Sequence, residues 1–202
     1  MATLHTPVID EEHPLRDGEL DGLTLDQFLA LPDVKPALEY EEGRVTQKES
    51  PQGQHSRLQS ALVTLFDRAG SPKIALAFPE LRTTYTAERH SYVPDVAVYL
   101  WARIPRTPDG DVANVFTEPP DIAVEIVSPE QTVAEQTAKC VWYVGHGVRI
   151  ALVVNPADRS VRLVRPGQAP TVLRGDDQLD FGDILPGFRI TVRELFATLR
   201  LD

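Results

Sequence analysis

Apolar residues fall into two rhythms along this chain, and the change from one to the other divides it into elements. Leu58, Leu62, Leu65 and Phe66 recur at helical spacing, which predicts an amphipathic helix over roughly 55–68, ended by Gly70-Ser71-Pro72. Thr24 is a plausible N-cap for a shorter helix through Leu31, stopped by Pro32. Residues 38–46 read as a hairpin turning at Glu42-Gly43. A strand-rich stretch follows at 74–78, 81–85, 96–100 and 122–127, where β-branched and aromatic residues sit between turn signals. The segment 102–119 carries Pro105, Pro108 and Asp109-Gly110 without periodicity and reads as a surface loop. A helix over about 132–146 then ends at Gly145 and Gly147. Further strands at 150–155, 161–164 and 171–173 precede a terminal helix over 192–199. Helices alternating with a mixed set of strands predict a single α/β or α+β domain, a mixed β-sheet flanked by helices.

Composition narrows this picture little, but charge does. The 202 residues have a formal net charge of -10, and residues 1–42 carry 11 acidic side chains against only Arg16 and Lys35. The rest of the chain is close to neutral. Residues 1–20 are polar, acidic and aperiodic, so they read as a disordered or loosely held tail before a domain over 21–202. A near-neutral body displays no basic patch of the kind that grips phosphate backbones. There is no apolar run of 18 residues and no basic-then-apolar leader, so neither a membrane span nor a secretory signal is expected, and a cytoplasmic location is. A single cysteine, Cys140, makes neither an internal disulfide nor a cysteine-type zinc site.

The chemistry concentrates in three places. Asp95 opens the apolar run 96–100 directly after Pro94. Glu125 interrupts the strand 122–127, where Asp121, Ala123, Glu125 and Val127 share one face. Lys139, one of only four lysines, stands on the helix that follows, with Tyr143 one turn beyond it. A carboxylate inside a core strand costs several kcal/mol unless a partner or a metal compensates it. If the two strands are neighbours, Asp95 and Glu125 share one hard cation such as Mg²⁺, and Lys139 orients a water or meets phosphate charge. Each residue also has a plainer reading. Pro94-Asp95 is a common turn opening, Glu135 and Lys139 have the spacing of a solvated i,i+4 pair, and Glu125 also suits a wet sheet face. His55 at the start of the first long helix is a candidate phosphate contact, and Glu80 a third carboxylate or a bulge residue. Phosphate loops, nucleophile elbows and His-x-x-x-His pairs are absent from the sequence.

Taken in order, these landmarks resemble the Uma-type putative restriction endonuclease family, a branch of the PD-(D/E)xK nuclease superfamily. The landmarks are Glu39-Tyr-Glu-Glu-Gly43, Ser50-Pro51, His55, Val93-Pro-Asp-Val96, residues 120–129, Lys139 with Tyr143, Gly147-Val148, residues 153–156 and Leu185-Pro-Gly187. The resemblance runs from about Leu38 to Leu195. It implies a restriction-endonuclease-like core and a divalent-metal site, with Mg²⁺ or Mn²⁺ as the ion. Asp95 matches the Asp of the Pro-Asp motif and Glu125 the acidic member of (D/E)xK. Val127 stands where the parent pattern has lysine, and the family looks like one that moves this lysine to the next helix, at Lys139. Glu39, as a further metal-shell carboxylate, and His55 match recurrent family positions, and Tyr143 joins His55 as a candidate substrate contact.

The expectation is a metal-dependent endonuclease hydrolysing DNA, with Asp95, Glu125 and Lys139 as catalytic residues and Asp95, Glu125 and Glu39 around the metal. A homodimer is expected, since cutting two strands often uses two sites related by a two-fold axis. Two other readings stand beside it. One is a catalytically inert module of the same fold binding nucleic acid or a protein. The other is a metal-dependent hydrolase of a different phosphorylated substrate.

Overall fold

The computed structural model describes residues 18–182 and 184–201. The tail expected over 1–20 lies outside them up to residue 17, while Leu20 is buried against Leu25, Phe28 and Tyr40.

A six-stranded mixed sheet forms the body. Its strands run in the order β10 (Thr171–Arg174), β9 (Ser160–Val164), β8 (Ile150–Asn155), β7 (Ile122–Ile126), β6 (Val96–Leu100) and β3 (Ala75–Pro79). Only β7 and β8 are parallel, and the helix α3 (Val133–Gly145) is their crossover. Thr132 caps α3 through a capping box with Glu135, whose carboxylate returns to the Thr132 amide. At its far end Gly147 takes φ +101° where an added Cβ would meet Pro119 Cγ at 2.8 Å, so glycine is required for the chain to turn into β8.

The period-2 pattern of β7 sends its two faces into different cores. Ile122, Val124 and Ile126 pack beneath α2 (Gly53–Ala69) and α4 (Val192–Ala197), with Leu58, Leu62, Phe66, Leu195 and Phe196. Ala123 and Val127 face α3 through Cys140 and Tyr143. A smaller sheet, ordered β2 (Arg44–Gln47), β1 (Leu38–Glu41), β5 (His90–Tyr92) and β4 (Thr83–Tyr85), carries α1 (Leu25–Leu29) and brings Tyr92 against Trp142 of α3. The strand expected at 81–85 starts at Thr83, and β5 is an addition to the expected set. So is the pair β11 (Gln178–Leu179) and β12 (Ile190–Thr191). Two or three residues are too few to show a period. Among the described residues no helix is long and apolar enough to cross a membrane.

Candidate active site

Pairing between β6 and β7 runs antiparallel through Val96 and Val124, so the next step of the register sets Asp95 across from Glu125. Two carboxylates distant in sequence thereby meet where β7 delivers its C-terminal end. Asp95 Oδ2 accepts from the Ile126 amide at 2.6 Å and lies 3.1 Å from His55 Nε2. Its Oδ1 takes the Lys48 ammonium at 2.7 Å. The main-chain oxygen of Asp95 accepts from Gln59 at 2.9 Å and from the Glu80 amide at 3.2 Å. Asp95 is therefore buried and held on every side. The segment following the hairpin β1–β2 and the start of α2 close over it through Lys48 and His55.

Glu125 faces α3, as its position in the period requires, and is 3% exposed. Tyr143 donates its hydroxyl to Glu125 Oε1 at 2.8 Å, and Lys139 Nζ reaches the same oxygen at 3.0 Å. Lys139 also donates to both oxygens of Glu39 at 2.8 Å. Glu39 in turn accepts the Val93 amide at 2.7 Å, which ties β1 to the segment leading into Asp95. The Lys139 ammonium stands over the rings of Tyr92 and Tyr143, 5.2 and 5.9 Å from their centroids. The solvated Glu135–Lys139 pair is overturned, since Glu135 is spent on the cap and Lys139 points inward.

Electrostatics follow from this packing. Burial works to raise Asp95, but the Lys48 ammonium and the hydrogen bond from His55 outweigh it and hold the carboxyl well below the usual range. Burial raises Glu125, and Lys139 and Lys48 only partly offset this because Asp95 and Glu39 add like charge nearby. Burial alone would lower both lysines. The carboxylates of Glu125 and Glu39 hold Lys139 protonated, and Asp95 does the same for Lys48. The Tyr143 hydroxyl is raised by burial and by Glu125, so it stays a donor.

Two cavities flank His55. One of about 310 Å³ is lined by Lys48, Glu49, His55, Glu80 and Asp95 among others. The other, about 730 Å³, lies along Gln52, Gln54, His55, Ser128, Gln131 and Asn155. His55 belongs to the first turn of α2, and its second ring nitrogen, Nδ1, is buried without a partner among the described residues. Tyr143 has its hydroxyl on Glu125, is buried, and lines neither of these cavities. Glu80 is not a third member of the cluster. It adopts φ +47° beside β3 and pairs with Lys35 at 3.2 Å on the surface.

Lys48, Gln59 and Tyr92 belong to the site and were not singled out from the sequence. The scarcity of lysine applied to Lys48 as much as to Lys139, but Gln47-Lys48-Glu49 reads locally as solvated loop. Among the described residues no group of three or more His, Cys, Asp or Glu side chains is close enough to hold a metal ion. The chemistry of the donors still suits a hard cation. Asp95 Oδ1 and the Val93 carbonyl oxygen already surround one positive charge, the Lys48 ammonium, at 2.7 and 2.6 Å.

The mixed sheet flanked by helices is a fold of the restriction-nuclease class, and it brings a buried Asp and Glu and a part-buried Lys to one strand end. The family profile of Uma2, described as "Putative restriction endonuclease", matches residues 25–193, and the chain belongs to that family. A crystal structure of a putative nuclease belonging to DUF820 from Anabaena variabilis ATCC 29413 is 37% identical to the chain, with a TM-score of 0.84. The match covers 88% of this chain and 99% of that one. Comparison with curated proteins gave no match.

Proposed function

We propose that this chain is a divalent-metal-dependent endonuclease that hydrolyses phosphodiester bonds of DNA. The observation that carries the reading is the register that sets Asp95 across from Glu125, with Lys139 bridging Glu125 and Glu39 and one cavity reaching Asp95. Membership of the Uma2 family supports it. Asp95 and Glu125 would hold Mg²⁺ or Mn²⁺, with Glu39 the carboxylate next to them. Such an ion supplies hydroxide near neutral pH and neutralises charge on phosphate oxygens. The chain's own residues do the rest. Lys139 keeps its proton between Glu39 and Glu125 and presents a fixed positive charge to the oxygens that gain charge in the transition state. Tyr143 fixes the Glu125 carboxylate by donating to one oxygen. His55 braces Asp95 and stands at the partition between the cavities, where a substrate phosphate would pass. Cleavage of both strands would pair two such sites in a homodimer.

The test is nicking of supercoiled plasmid with Mg²⁺ or Mn²⁺ by the wild type beside Glu125→Ala. Metal-dependent nicking lost in the variant is the expected result, and equal nicking or none in either would overturn the reading. One observation favours the second reading, an inert module of nuclease fold. Two ammonium groups already compensate the buried carboxylates without an ion. A metal titration that releases no heat would decide for it.

A further inference from the structure

We propose that Lys48 is an internal counter-cation seated where a divalent ion would meet Asp95, so that ion entry and withdrawal of Lys48 are one event. This rests on the reading of Asp95 as a metal ligand and adds to it a residue that sets how tightly the ion binds.

The two oxygens of Asp95 are not equivalent. Oδ2 is committed to the Ile126 amide at 2.6 Å and to His55 at 3.1 Å. A main-chain amide at the end of a strand has no freedom to leave. Oδ1 is met by Lys48, a point charge on a flexible four-carbon stem. Lys48 Nζ also donates to the Val93 carbonyl at 2.6 Å, so two oxygens already form a seat for a cation. An ammonium and a divalent ion on one carboxylate oxygen would repel strongly in a buried site, and only one of them can occupy it.

Room for the withdrawal is built in. The Lys48 backbone is fixed by its amide, which donates to the Ala37 carbonyl at 2.9 Å, so the movement is confined to the side chain. The cavity of about 310 Å³ beside Asp95 is lined by Lys48 itself and by Glu49, which can take up the displaced charge; Glu80 also lines it but is already paired with Lys35 at 3.2 Å. Lys139 has no such exit. It is held by two carboxylates and two aromatic rings and stays in place when the ion enters. The two lysines of the site therefore divide the work, one permanent and one exchangeable.

The experiment is calorimetric titration of the full chain with MnCl₂ and with MgCl₂, comparing wild type, Lys48→Met, Lys48→Gln and Asp95→Asn. Lysine ammonium resonances of ¹⁵N-labelled wild type are followed during the Mg²⁺ titration, which the four lysines make tractable. The expected result is affinity roughly tenfold or more tighter in Lys48→Met, because a competing charge is gone, with binding abolished in Asp95→Asn. In the wild type the Lys48 resonance shifts on saturation while that of Lys139 keeps its protection. Equal affinity with and without Lys48, still lost in Asp95→Asn, would overturn the role of Lys48 and leave the metal site standing. No binding in any form would overturn both. Should the Lys48 variants not fold, a Lys48 resonance unmoved at saturating Mg²⁺ overturns the proposal in the wild type alone.

Discussion

Lys139 and Glu39 lie 100 residues apart in the chain and meet through both oxygens of one carboxylate at 2.8 Å. That pair joins the small sheet to the helix α3, and through Glu125 it joins both to the central strand β7. Lys139→Met leaves Glu39 and Glu125 facing each other in a buried site with no cation between them. The expected cost is about 3–5 kcal/mol, the range for breaking a buried pair by removing one partner. Urea unfolding of Lys139→Met, Glu39→Gln and the double variant measures it. The double variant should recover much of the loss, and a cost below about 1 kcal/mol in the single variant would show that the pair is not the link described.

Tyr143→Phe removes one hydroxyl and nothing else. Glu125 Oε1 keeps Lys139 at 3.0 Å but loses the donor at 2.8 Å that fixes the plane of its carboxylate. Stability should fall by about 1 kcal/mol, the net worth of one hydrogen bond. Since Tyr143 is buried and lines neither cavity beside His55, cleavage should slow roughly tenfold in kcat with KM little changed. A rise in KM alone would instead place the hydroxyl on the substrate.

Much of this site was legible in the sequence, and the part that was not has a common cause. The alternation of β7 put Glu125 on the face opposite Ile122, Val124 and Ile126, and the structure keeps it there. Pro94-Asp95 marked the entry to β6 for the same local reason. The partners of these residues were harder to see. Glu135 stands one turn before Lys139 and offered a local explanation of it, whereas the actual partners come from β1 and β7. Lys48 sits between polar neighbours at the end of β2, and its burial is created by the approach of α2 and Val93. The strand β5 carries His90 and Ser91 inward against other elements, so its three residues show no apolar signal. Period and turn chemistry are properties of a segment, while these contacts arise only when segments from across the chain assemble.

Acid and base limits of stability should separate the two carboxylates. Burial raises Glu125 above its unfolded value near 4, so protonated Glu125 stabilises the fold below that value, and this is lost as pH rises through the folded one. Lys48, through the ion pair and hydrogen bond that overcome burial, sets Asp95 below its unfolded value near 4. Its contribution is present above that value and is lost as pH falls through the folded one. Glu125→Gln should therefore gain on the wild type as pH rises from 4 toward 8, by about 1–2 kcal/mol. Asp95→Asn should lose about 3 kcal/mol at pH 7 and progressively less below pH 4. Melting temperatures of the three forms from pH 3 to 9 test both slopes, and parallel curves would refute the assignment.

Asp121 provides the contrast that isolates the site. It shares a face with Glu125, immediately before β7, and is fully buried. Its surroundings differ at every point. Its carboxylate accepts the Leu100 amide at 2.8 Å and pairs with Arg103 at 2.8 Å and Arg149 at 3.6 Å. Those partners belong to the opposite end of the strand, where β7 begins rather than ends. A buried acid on this face is thus a structural tie at one end and a candidate ligand at the other. Asp121→Asn should lower stability by about 2–4 kcal/mol, since a buried carboxylate's pairing with Arg103 is lost and its contact with Arg149 is weakened. Mn²⁺ affinity of the folded variant should match that of the wild type, while Glu125→Gln should lose it without the stability penalty. Calorimetric titration beside urea unfolding reads both quantities on each variant. Loss of metal affinity in folded Asp121→Asn would mean that the two ends of β7 are not independent and that the site is larger than the cluster around Lys139.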